Sequence, residues 1–294
     1  MNRPNILYLH SHDTGRYIQP MGFSVPTPNL QRLAEQGILF RQAFCANPTC
    51  SASRAALLTG RYPHSNGMLG LAHRGFRLND YGQHLLHTLR RAGYGSFLSG
   101  VQHIATRAET DRIGYDRVLT LDAKNADTEA AAFLMSKPSQ PFFLSAGFVE
   151  THRPFPEPDP EDDPRYLRPP TIFPDTPETR RDWAAYRAIA RQLDRRMGVV
   201  LDALDRSGLA DNTLVICTTD HGIAFPFMKC NLTDHGIGVF MILRGPGGFT
   251  GGRVCDEMVS QVDVFPTVCE YLGIEPPPHL QGRPFLPWVS GAAA

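Results

Sequence analysis

Between Pro48 and Gly60 a turn of small residues runs into an apolar helical pattern, with Cys50 at its start and Arg54 one turn on. The first turn of a helix carries unpaired N–H groups and partial positive charge, which favour an anionic nucleophile with an anionic substrate beside it. A guanidinium on the same face suits paired contacts with sulfate or phosphate oxygens. Taken alone, the two residues read equally well as a buried cysteine and an arginine in a surface ion pair. Two dipeptides, His12-Asp13 and Asp220-His221, follow apolar runs. Open α/β sheets place their sites at the carboxyl ends of strands, and carboxylate with imidazole there suits a divalent cation that neutralises an anion and orients a nucleophile.

The elements that must position these residues alternate between short apolar runs and helical patterns. Strands are predicted at Asn5 to Leu9, Tyr94 to Leu98, Pro141 to Phe148, Thr213 to Thr218 and Val239 to Leu243. Helices are predicted after an Asn29 cap through Leu30, Leu33 and Ala34 to Gly37, from Cys50 to Gly60, and through Leu85, Leu86 and Leu89 to Gly93. Two more are predicted at Arg180 to Leu204 and Val262 to Leu272. Such alternation predicts an α/β fold with a mostly parallel sheet sandwiched by helices, residues 1–294 forming one domain. The Pro-rich stretch Arg153 to Pro177 reads as a surface excursion, with Asp159-Pro-Glu-Asp-Asp163 as a solvated acidic turn.

Composition narrows the partners. Of 294 residues, 42% are hydrophobic and 20% charged, which is globular and leaves little room for a coiled-coil or disordered reading. Lys plus Arg balances Asp plus Glu at 29 each, so no global field holds the chain on nucleic acid or an anionic membrane. The opening run Ile6 to Leu9 is too short for a signal or a membrane span. A cytoplasmic location is expected, or a periplasmic or secreted one for a processed chain. Cys45, Cys50, Cys217, Cys230, Cys255 and Cys269 include no CxxC pair and are expected to be mostly buried free thiols. No role is assigned to His10, His73, His84, His87, His235 or His279.

The string Cys50-Ser-Ala-Ser-Arg54 with Leu57-Leu-Thr-Gly-Arg61 resembles the sulfatase signature. The resemblance extends through Pro4-Asn-Ile-Leu7, Thr27-Pro-Asn-Leu30, Gly37-Ile-Leu-Phe40, Thr213-Leu-Val215, Asp220-His-Gly222 and Asp263-Val-Phe-Pro-Thr267, in the family's order. Asn66-Gly67-Met68 and Gly222-Ile223 through Phe225-Pro226 look most like the heparan N-sulfatase branch. The resemblance implies an alkaline-phosphatase-like fold, here without the usual small C-terminal subdomain. It also implies that a maturase converts Cys50 to formylglycine, whose hydrate is the nucleophile, and that a saccharide or other small sulfate is the substrate. The implied metal set is His12, Asp13, Cys50, Asp220 and His221. The family holds calcium there, whereas imidazoles at His12 and His221 are softer and make manganese or zinc plausible; His12 also reads as a residue that only orients ligands.

His103 and His152 stand where the family keeps its acid and base, and Lys229 matches a sulfate-binding lysine. Val101 stands where a second such lysine is usual, so the anion pocket is expected to rest on Arg54, Lys229 and the metal. His64 is a candidate for the substrate pocket and reads equally as a turn residue. The expected reaction is hydrolysis of a sulfate ester or sulfamate. The rival readings are a phosphodiesterase or phosphonate monoester hydrolase of the same superfamily, and a non-catalytic anion-binding homologue.

Overall fold

The computed structural model describes residues 3–290, and among them nine strands form one sheet. They are β1 (Asn5–His10), β2 (Ile38–Phe44), β3 (Gly95–Gly100), β4 (Arg117–Thr120), β5 (Phe142–Gly147), β6 (Thr213–Thr218), β7 (Gly238–Arg244), β8 (Arg253–Cys255) and β9 (Val259–Ser260). The order is β4-β3-β5-β1-β6-β7-β2-β8, with β9 alongside β2. Only β7 runs against the others, pairing antiparallel with β6 and β2. Every residue of β1, β5 and β6 is buried, as expected of parallel strands covered on both faces.

The helices are α1 (Pro28–Gln36), α2 (Cys50–Thr59), α3 (Pro63–Asn66), α4 (Leu85–Arg91), α5 (Ala126–Met135), α6 (Pro177–Arg206), α7 (Asp234–Ile237), α8 (Val264–Leu272) and α9 (Leu286–Ser290). Alternation along β1 sends Ile6 and Tyr8 to one face, where they meet apolar residues of α2, α4 and α8. Leu7 and Leu9 go to the other face and meet α1, α5 and α6. No helix of the described residues is long and apolar enough to cross a membrane.

This arrangement positions chemistry at one edge. Strands β3, β5, β1 and β6 are parallel neighbours, so their carboxyl ends release four segments side by side. The ends pack closely: a Cβ on Gly147 would lie 2.1 Å from the Val101 carbonyl and 2.4 Å from the His10 ring, so only glycine fits. The longest helix braces the same edge. Arg196 of α6 pairs with Glu150 at 2.8 Å, and the Glu150 carbonyl accepts the His12 N–H at 2.8 Å.

Two expectations are corrected. Thr27, not Asn29, occupies the cap of α1; the Asn29 and Leu30 N–H groups instead donate to the Asp194 carboxylate of α6 at 3.1 and 2.9 Å. A tertiary contact thus replaces a local cap. The 159–163 run is not simply solvated, because Asp162 is fully buried and pairs with Arg187 at 2.8 Å and Arg191 at 2.5 Å. The cysteines are as expected: all six are free thiols and four are buried, with Cys230 exposed and Cys255 partly so.

Removing one partner of a buried ion network leaves its other charges uncompensated. Asp162→Ala is expected to lose about 3–5 kcal/mol of stability, whereas Asp159→Ala, at the more exposed end of the same network, loses about 1 kcal/mol or less. Urea unfolding measures both; equal midpoints for the two variants would contradict the assignment.

Candidate active site

The segment leaving β1 carries His12 and Asp13, and the segment leaving β6 carries Asp220 and His221. Asp13 adopts φ 57°, left-handed backbone rarely used by a non-glycine residue. Its N–H donates to Asp220 Oδ1 at 2.8 Å, which also accepts the His221 N–H at 2.9 Å. Burial opposes ionisation of both carboxyls, but His12 and His221, joined at Asp220 by Arg54, outweigh it and hold both well below the usual carboxylate range.

Arg54 occupies a different position from the expected one. It is fully buried, and Nη2 donates to Asp220 Oδ2 at 2.9 Å and to the Ser11 carbonyl at 2.8 Å. Nη1 donates to His10 Nδ1 at 2.6 Å. The guanidinium therefore lies beneath the cleft as a support for Asp220 and is not free to meet substrate oxygens. Burial, then the adjacent Arg54, lowers His10 well below the ordinary imidazole range, leaving it neutral and able to accept. His10 had no assigned role in the sequence; as the residue two before His12 on a buried strand, it signalled only the core.

Cys50 begins α2 and is buried, its Sγ 3.3 Å from His221 Nε2 and 3.9 Å from Asp13 Oδ1. The expected thiolate is not favoured: burial, then Asp220 and Asp13, raise the thiol above its ordinary range despite Lys229 and Arg54. Two carboxylates outweigh the partial charge of one helix end. Lys229 Nζ reaches Asp13 Oδ2 at 2.5 Å from the opposite loop, with part of its side chain open to the cleft.

Three histidines close the rim. His152 sits on the segment after β5, its Nε2 3.9 Å from Asp13 Oδ2 and its Nδ1 donating to the Arg153 carbonyl. His103 follows β3 with φ 57° and places Nδ1 3.3 Å from His12 Nε2. Its Nε2 lies 3.3 Å from Nδ1 of His73, whose ring stacks on it at 5.5 Å. Burial, then His12, lowers His103 to about 3. Nothing in the loop sequence around His73 announced this contact. His64 is not part of the group; it stacks on Tyr62 at 6.0 Å on the surface.

The site thus gathers His12, Asp13, Cys50, Arg54, His103, His152, Asp220, His221 and Lys229. One ligand atom from each of His12, Asp13, Cys50, Asp220 and His221 lies within 4.8 Å of all the others, all on buried residues. Two deeply buried carboxylates with flanking imidazoles form a donor set that fits a divalent cation.

A family model described as Sulfatase matches residues 4–274. An ulvan-active sulfatase of Formosa agariphila is 29% identical over 97% of this chain and 54% of its own length. The human N-sulphoglucosamine sulphohydrolase is 30% identical over 90% of this chain and 61% of its own. The chain therefore spans less than two thirds of these curated relatives. Among solved structures, a putative sulfatase from Bacteroides fragilis has a TM-score of 0.83 at 21% identity, covering 98% of this chain and 78% of that one. The phosphonate monoester hydrolase of Agrobacterium radiobacter has a TM-score of 0.79 at 22% identity, covering 98% and 77%. Both likenesses are of fold.

Asp13→Ala and Asp220→Ala are each expected to weaken binding of a divalent cation at least about tenfold, since one carboxylate leaves the ion underneutralised. Asp220→Ala alone should also melt lower, because Arg54 loses its buried partner. Calorimetric titration and thermal melts read the two effects; unchanged cation binding in either variant would contradict the site.

Proposed function

The chain belongs to the sulfatase family, and we propose that it hydrolyses a sulfate ester or sulfamate through a formylglycine made from Cys50 by a maturation enzyme. The observation that carries this reading is the meeting of Cys50, at the start of α2, with two buried carboxylates, an open-sided lysine and two histidines. A thiol whose proton is held by burial and neighbouring carboxylates is a poor nucleophile as it stands. As formylglycine hydrate it would supply one hydroxyl to attack sulfur and a second to expel sulfate and restore the aldehyde.

Asp13, Asp220, His12 and His221 would hold the cation with the modified Cys50, and the cation, Ca2+ in this proposal, would draw charge from the sulfate oxygens. The two imidazoles leave Mn2+ and Zn2+ chemically admissible. Lys229 binds the anion from the cleft side, where a cation aimed at developing negative charge contributes most. Arg54 acts indirectly by fixing Asp220. His152 Nε2 faces the cleft with its ring fixed through Nδ1, so it is placed to protonate the leaving oxygen or nitrogen. His103 sets the far side of His12. The human relative is named for a sulfoglucosamine and the Formosa relative for ulvan, which favours a sulfated saccharide as substrate here.

A phosphonate monoester or phosphodiester hydrolase is the second reading, favoured by the imidazole-rich donor set. Matched-metal kinetics on an aryl sulfate and an aryl phosphodiester separate the two: a higher kcat/KM on the sulfate is expected, and the reverse order overturns the proposal. On the sulfate, Lys229→Ala should lower kcat/KM by about a hundredfold or more, with Lys229→Arg retaining part of the rate. A Lys229→Ala enzyme within about threefold of wild type would place the anion elsewhere.

A further inference from the structure

Cys50 Sγ, His221 Nε2 and Asp13 Oδ1 form a triangle with sides of 3.3, 3.2 and 3.9 Å. Donors bound about 2.0–2.3 Å from a tetrahedral zinc stand about 3.4–3.6 Å apart, so the triangle fits after shifts of about 0.3 Å. A sulfur, an imidazole nitrogen and a carboxylate oxygen are also the donor types zinc prefers.

The ligands are oriented before any ion arrives. His221 Nδ1 lies 2.9 Å from the Gly222 carbonyl, which can only accept, so Nδ1 carries a proton and Nε2 is the ring atom aimed at Cys50, 3.3 Å away. Lys229 anchors Asp13 through Oδ2, while Oδ1 lies 2.8 Å from His12 Nδ1 and 3.9 Å from the thiol, so an ion on Oδ1 shares that oxygen with His12. All three residues are buried, so a bound ion would be shielded from water on this face.

We propose that the chain with Cys50 still a thiol is a zinc-binding protein, taking Zn2+ on Cys50 Sγ, His221 Nε2 and Asp13 Oδ1. The thiol proton passes to solvent as the Zn–S bond forms. This inference rests on the proposed function only in taking Cys50 as the residue later modified; it requires no sulfate chemistry. The formylglycine form would put an oxygen donor in place of the soft sulfur, and that exchange shifts the mixed carboxylate and imidazole set toward a harder cation. The metal held in this cleft therefore reports the chemical state of Cys50. Zinc on the thiolate also shields that sulfur from electrophiles.

The test uses protein expressed without a maturation enzyme, shown by mass to carry the thiol, stripped with chelator, and titrated with Zn2+ or with Co2+ as a spectroscopic probe. One equivalent of zinc is expected, along with a near-ultraviolet thiolate-to-cobalt charge-transfer band. Protection of Cys50 from iodoacetamide is also expected, while exposed Cys230 still reacts as an internal control. Cys50→Ser, folded by circular dichroism, should bind Zn2+ about a hundredfold or more weakly, and excess Ca2+ should not displace zinc from the thiol protein. A Cys50→Ser variant that binds zinc as tightly as the thiol protein, or a cobalt complex without the charge-transfer band, overturns the proposal. Because no turnover is measured, a zinc-free thiol form would leave the sulfatase reading standing, and an inactive formylglycine form would leave this one standing.

Discussion

Asp13 and Asp220 are buried beside each other, the amide of one donating to the carboxylate of the other at 2.8 Å. Two anions can share so dry a place only when positive charge reaches both, since desolvation costs several kcal/mol per ion. Arg54 reaches Asp220 from beneath and Lys229 reaches Asp13 from the cleft, with His12 and His221 between them. Much else follows from this balance. Arg54 is committed to support, which anchors the first turn of α2 and with it Cys50. Burial and then the same carboxylates raise the Cys50 thiol, so the unmodified side chain keeps its proton and is a poor nucleophile as it stands.

The sheet explains why the balance can be struck here. Segments from four neighbouring parallel strands arrive at one edge, and each brings one component: His12 with Asp13, Asp220 with His221, His152, and His103. The supports come from the long helix α6 on one side, through Arg196 and Glu150, and from α2 on the other, through Arg54. Left-handed backbone at Asp13 and His103, each with φ 57°, shows that the turns are bent to aim these side chains.

The buried strands were legible because a parallel strand covered on both faces is an unbroken apolar run, as in Thr213–Thr218, whose bounds match the structure. The site residues were legible as types at strand ends and in one signature string. Their roles were less so. Arg54 read as an anion ligand because spacing places it on the Cys50 face, but spacing does not register that Asp220, 166 positions away, arrives beneath it. The stacking of His73 on His103, the capping of α1 by Asp194 and the burial of Asp162 share that cause. Each is a contact between distant segments that local pattern cannot carry. The strands β4, β8 and β9 escape prediction because they are partly exposed and too brief to show a period, β2 because Arg41 and Gln42 interrupt its apolar run, and α5 because its alanine-rich stretch follows no clear apolar stripe.

The central claim is that the working nucleophile is a modified Cys50. Preparations made with graded amounts of maturation enzyme can be compared by the mass of the Cys50 peptide and by aryl sulfate hydrolysis at fixed metal. The account predicts a rate proportional to the formylglycine fraction and near zero in all-thiol protein. Full hydrolysis by protein carrying only the thiol would contradict it.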